Sequence, residues 1–254
     1  MLNRLRAWRE RRILSRRPIG ESDWQAALAA CAPARRLTAS DQARLRTLAT
    51  LFLHEKSVEP VRGFNLSRTD CVVLATHACI PVLNLGLSWY RDWHALVVYP
   101  DLFIPKRSET DHAGVVHPRH EVLAGEAWSQ GPVILSWQEV QSAGQPPGHN
   151  VAIHEMAHKL DMLNGEANGY PPLHAGMRTT DWSRVLTGAW GRLQGQRQIG
   201  GPLPLDDYAL TSPGEFFAVA SETFFEQPEH LYRHLPALYR QLALFYRQRP
   251  LADV

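Results

Sequence analysis

Apolar and polar positions alternate with helical spacing through most of this chain. Residues 22–31 (SDWQAALAAC) predict a helix, with Ser22 and Gln25 at capping-box spacing and Pro33 closing the segment. Residues 40–56 predict a stronger one, with Leu45, Leu48, Leu51 and Phe52 as its apolar stripe. A third helix is expected over 68–79, where Cys71 and Cys79 read as small core residues. The period then changes. His94–Tyr99 (HALVVY) ends at Pro100 and predicts a strand. Residues 121–128 and 132–137 predict two more, with a turn at Gly131-Pro132. Between them, 101–120 is polar, lacks periodicity and reads as a long loop carrying His112, His117 and His120. Its length suggests a cover over a cleft.

After a break at Gly144–Gly148, helical spacing returns in 151–163, VAIHEMAHKLDML. Val151, Ala152, Ile153, Met156, Ala157 and Leu160 make this a largely buried helix. Residues 164–172 are a loop, and 173–199 are weakly helical. Residues 213–226 (PGEFFAVASETFFE) form a second buried helix. Residues 229–248 form an amphipathic closing helix, with Pro236 at an internal start or kink. A helix-rich chain with few strands predicts an α+β fold: N-terminal helices on a small, mostly antiparallel sheet.

Composition narrows the classes. The chain has 254 residues, enough for one large domain, and a formal net charge of +2. It is not an obvious polyanion binder, and direct nucleic-acid binding is not expected. Seven arginines fall in the first 17 residues, which read as a solvated basic arm. This stretch lacks the apolar segment of a signal peptide, and no run of about 18 apolar residues exists to span a membrane. Three cysteines without C-x-x-C spacing point to a reducing, cytoplasmic setting.

Chemistry concentrates in the 151–163 helix. His154, Glu155 and His158 stand in the order H-E-x-x-H. Residues four apart share a helix face, so both imidazoles can grip one metal ion. Glu155, one position along, can reach a water on the open side. Two histidines and a glutamate in a buried helix are costly without partners, and a metal supplies one.

A catalytic zinc needs a third protein ligand. A metzincin would place histidine six residues after His158, where Asn164 stands, and glycine three after it, where Asp161 stands. A carboxylate from a later helix remains, with Glu215, Glu222 and Glu226 as candidates. Glu215 opens its helix among aromatics. Glu222, seven residues on, could be the ligand or accept a hydrogen bond from a ligating imidazole. Asp161 could orient an imidazole or cap a neighbouring segment.

HEMAHKLDMLNGEANG, GPVILSW and DDYALTSPGEFFAVASETFFEQPE together resemble the Mlc titration factor A family. The resemblance runs from about residue 20 to about residue 250. These are gluzincin-type zinc peptidases with a catalytic core like that of anthrax lethal factor. The resemblance implies one Zn²⁺ held by His154, His158 and Glu215, with Glu155 as general base. It also implies that Tyr208, seven residues before Glu215, faces the site. Thermolysin-like gluzincins carry an acidic residue four after the ligand glutamate. Here Val219 stands there, leaving Asp161 and Glu222 as candidates to support the ligands.

The domain plan that follows is a basic arm at 1–20 and one zincin-type metallopeptidase domain at 21–250. Its helical part is about 21–80 and its catalytic core about 81–250. The activity implied is metal-assisted peptide hydrolysis, aminopeptidase-like by resemblance. The family takes its name from sequestering Mlc, a transcriptional repressor of sugar phosphotransferase genes. A latent or non-catalytic regulator of such a repressor is therefore the alternative. A purely structural zinc site fits poorly, because no cysteine lies near the motif.

Overall fold

The computed structural model describes residues 2–61, 63–102, 107–110, 116–119, 125–127, 131–145 and 148–251. The chain runs α1 (Leu2–Arg16), α2 (Glu21–Ala30), α3 (Ala32–Arg35), α4 (Ala39–Glu55), β1 (Ser57–Pro60) and α5 (Arg68–Cys79). Then come β2 (Ala95–Tyr99), β3 (Arg107–Thr110), β4 (Val116–Arg119), β5 (Gly125–Ala127), β6 (Val133–Ser136) and α6 (Trp137–Gln141). The remaining helices are α7 (Val151–Asp161), α8 (Thr179–Gln198), α9 (Pro213–Glu226), α10 (Pro228–His234) and α11 (Pro236–Tyr246). The fold is mainly helical α+β, as expected.

Local chemistry explains the helix starts. Thr38 caps α4 by accepting from the Asp41 N–H, and Ser67 with Asp70 forms a reciprocal capping box on α5. The box expected at Ser22 is absent: α2 starts one residue earlier, behind Gly20, without a side-chain cap. The closing segment divides into α10 and α11 because Pro236 cannot continue a helix but is well suited to starting one. The arginine-rich start is itself helical. Arg9, Arg11, Arg12, Arg16 and Arg17 are exposed, while Ile13 and Ile19 enter the core.

The sheet corrects the expectation of mostly antiparallel pairing. Four strands lie in the order β1-β2-β6-β5. β1 pairs with β2, and β2 with β6, in parallel, with Val58 opposite Leu96 and Val98 opposite Leu135. Only β5 runs antiparallel, on the edge beside β6, with Glu126 opposite Ile134. Parallel neighbours need a crossover, and α5 lies between β1 and β2 to supply one. β1 is a short SVEP segment without apolar alternation, so it gave no strand signal. The 101–120 segment also differs from a plain loop: β3 and β4 form an antiparallel ribbon within it. Residues 121–124 and 128 of the expected 121–128 strand lie outside the described residues.

The helices stack in a chain of contacts: α2 and α4 on α5, α5 on α7, and α7 on α9 and β5. The back of α9 is set in aromatics. Phe217 meets Phe245 edge-on at 5.7 Å, lies 6.0 Å from Trp182 and stacks on Tyr246 at 6.3 Å. The Tyr246 hydroxyl donates to Ser221 Oγ at 2.7 Å. Phe217 is fully buried, so Phe217→Ala is expected to cost about 3–5 kcal/mol, read as a lower urea midpoint with an unchanged slope.

Candidate metal centre

Two capped helices bring the site together. The Asn150 side chain caps α7 by accepting from the Ile153 N–H at 3.1 Å. The whole of α7 is buried, so His154 and His158 project from one face into protein rather than solvent. Ser212 caps α9 by accepting from the Glu215 N–H, and Pro213 follows it. That cap holds Glu215 in the first turn of α9, facing α7.

The three side chains converge. One donor atom from each of His154, His158 and Glu215 lies within 4.8 Å of the others. Glu215 Oε2 is 3.0 Å from His154 Nε2 and 3.3 Å from His158 Nε2, and the two Nε2 atoms are 3.1 Å apart. Zinc bonds of about 2.0–2.1 Å in a tetrahedron separate neighbouring donors by about 3.3 Å. The spacing of all three edges therefore fits one ion.

Protonation chemistry leads to the same fit. His154 Nδ1 hydrogen-bonds Glu222 Oε1 at 2.6 Å, so the neutral ring carries its proton there and turns the Nε2 lone pair inward. Glu155, Glu215 and Glu222 crowd this space; the His149, His154 and His158 imidazoles lie against Glu215 and Glu222, and Lys159 is drawn electrostatically to Glu155. Burial opposes charge on Glu215, but the His154 and His158 rings hold its carboxyl well below the usual range. Burial likewise opposes charge on Glu222, yet His154 and His149 bring it down to about 2. His154 is pushed up despite its burial by Glu222 and Glu215. The cluster therefore attracts positive charge, which a divalent ion would supply.

Glu155 is buried, and its Oε2 has no hydrogen-bond partner. Burial raises its pKa, while the neighbouring imidazoles pull the other way. It lines a cavity of about 470 Å³ with Gly125, Val151, His154, Tyr208, Val219 and Glu222. Tyr208 is half exposed on a 3₁₀ turn, Asp207–Leu210, with its ring 6.2 Å from that of His154. The edge strand β5 presses on the site: a Cβ added at Gly125 would sit 2.6 Å from Glu155 Oε1.

The other expected residues fall in different places. Glu222 is the carboxylate that reaches His154, taking the place left open by Val219. Glu226 is drawn away to Asn150 Nδ2 at 2.6 Å. Asp161 accepts from the Gly169 N–H at 2.7 Å and so ties down the following loop, while His158 Nδ1 has no partner. His112 and His120 lie outside the described residues, as do the side chain of His117 and residues 103–106, 111–115 and 120 of the expected cover.

A family model described as glucose-regulated metallo-peptidase M90 matches residues 5–247. The chain belongs to this family. Membership in the M90 family marks it as metallopeptidase-like and implies a metal. The resemblance read from the motifs is also borne out by named relatives. Mlc titration factor A of Salmonella gallinarum is 39% identical over 206 residues, covering 79% of this chain and 77% of that one. The proteins of the same name from Salmonella typhimurium and Salmonella typhi match with the same identity and coverage. Among the described residues, this M90 member has no helix long and apolar enough to cross a membrane.

Three positions at the site gave no sequence signal. Gly125 matters because of what it abuts across two elements. His149 matters because Glu222 reaches it from 73 residues away. Gln227 packs over Gly148, where an added Cβ would meet its Nε2 at 2.6 Å. Asn150 was legible in principle, as a capping residue directly before an apolar helix.

Proposed function

We propose that this chain is a zinc-dependent peptidase, acting as an aminopeptidase. The observation that carries this reading is the convergence of His154, His158 and Glu215 beside a buried Glu155 whose Oε2 has no hydrogen-bond partner. In this role His154, His158 and Glu215 hold Zn²⁺, and Glu222 orients His154. A bound zinc supplies Lewis acidity to water and to the scissile carbonyl. Glu155 takes the proton of the attacking water and passes it to the leaving amine. Tyr208 donates a hydrogen bond to the oxygen that gains charge.

Substrate placement follows from the edge and the cavity. Among the described residues β5 has a strand partner on only one side, and an extended peptide can add to it as a strand. Val151, Leu203, Leu205 and Val219 wall the cavity with apolar surface, and among the described residues no lysine or arginine lines it. That combination favours apolar side chains over acidic ones. Gly125→Val is expected to push Glu155 aside and abolish turnover while metal content stays at the wild-type level. Unimpaired turnover in Gly125→Val would remove β5 from the site.

The aminopeptidase part is tested with paired peptides, free and acetylated at the N-terminus. Hydrolysis confined to the free forms supports it, and equal cleavage of the blocked forms would replace it with an endopeptidase. Three free cysteines, two of them buried, fit a cytoplasmic location.

A second reading rests on the relatives' name: binding of a transcriptional repressor of the Mlc type, with or without hydrolysis. The two roles coexist if the surfaces are separate. Glu155→Gln then loses hydrolysis and keeps repressor binding, and loss of binding in a folded, metal-loaded Glu155→Gln would join the two surfaces into one.

A further inference from the structure

The hydrogen bonds around His154 continue past Glu222. Oε1 of Glu222 meets His154 Nδ1 at 2.6 Å, while Oε2 accepts from the Asn150 N–H at 2.6 Å. Oε2 also lies 3.0 Å from His149 Nδ1. His149 stands on the cavity wall with 42% of its side chain exposed, and its Nε2 is 3.8 Å from Glu139. Its backbone is placed by Gly148, whose φ of +95° and contact with Gln227 exclude a side chain there. The turn between α6 and α7 thus directs a half-exposed imidazole onto a carboxylate that is 3% exposed.

A carboxylate can rotate about its terminal bond, and that rotation decides whether Oε1 faces His154. The Asn150 N–H alone is a single contact on Oε2. A second contact on the same oxygen, from the imidazole of the preceding residue, fixes the carboxylate plane. We propose that His149 is a positioning residue of the metal centre, holding Glu222 so that His154 presents Nε2 to the ion. This rests on the metal-binding reading above. The chain of contacts is His149 to Glu222 to His154, and no step of it needs a change in the charge of His149.

The proposal separates a hydrogen-bond donor from mere bulk. His149→Asn keeps an amide N–H near the place of Nδ1, and His149→Ala removes it. Zinc affinity of the full chain is measured by competition with a chromophoric chelator, beside urea unfolding of the metal-free forms. His149→Ala is expected to bind zinc at least about tenfold more weakly than wild type, with His149→Asn restoring most of the loss. Metal-free stabilities of the two variants are expected to agree. Wild-type affinity in His149→Ala, or equal weakening in both variants, would overturn the proposal while leaving the metal centre intact. A wild-type chain that binds no zinc would overturn both.

Discussion

Glu155→Gln is expected to retain the fold and a full complement of metal while losing peptide hydrolysis. Glutamine matches glutamate in shape but cannot take the proton of the attacking water. The surroundings make this a clean substitution. Glu155 is 4% exposed, Oε2 has no partner, and Gly125 leaves room for nothing larger against Oε1. The amide therefore stays in place. Removing one general acid–base group costs about 10²–10⁴-fold in turnover. Neutralising a buried carboxylate also removes a desolvation cost, so the variant is expected to unfold no more easily than wild type. Turnover within a factor of a few of wild type would assign the base to another residue.

Glu215→Ala is expected to have the opposite profile, losing the metal first and activity with it. Two imidazole nitrogens would remain, 3.1 Å apart, with no carboxylate to complete the set. Losing a hydrogen-bond partner of a ligand typically costs 10–100-fold in metal affinity, and losing a ligand is expected to cost more than about 100-fold. Stability follows by mass action. At a free-metal concentration of about a thousand times Kd, binding adds about 4 kcal/mol to the folded state, and Glu215→Ala should forfeit most of it. Thermal unfolding with and without added zinc reads this directly: wild type shifts upward and the variant does not. A zinc-dependent shift of wild-type size in Glu215→Ala would move the third ligand elsewhere.

What could be read from the chain depended on how far apart the cooperating residues lie. His154 and His158 are one helical turn apart, so their common face follows from helix geometry alone. Glu215 lies 57 residues beyond His158. Residue chemistry left it beside Glu222 and Glu226, and the family's motif block singled it out. The structure separates the three physically. Ser212 caps the first turn of α9 and holds Glu215 on the cluster, Glu222 reaches the back of His154, and Glu226 reaches Asn150.

In the N-terminal half α2, α4 and α5 were legible from their apolar content and punctuation, with α5 at Arg68–Cys79 as expected, whereas the arginine-rich α1 was read as a solvated arm. The sheet was not. β1 is four residues without apolar alternation, and parallel pairing depends on a crossover rather than on any local pattern. His149 and Gly125 were silent for a related reason. A histidine in a turn and a glycine in a short strand acquire meaning only when α9 and α7 pack against them.

The central claim is that His154, His158 and Glu215 form one metal site served by Glu155. The most direct test is the zinc content of freshly purified wild type, Glu155→Gln and Glu215→Ala, with hydrolysis of free and blocked peptides measured on the same samples. The account predicts one zinc per chain in wild type and in Glu155→Gln, little in Glu215→Ala, and turnover in wild type alone. Folded wild-type protein that neither carries nor takes up zinc would contradict it.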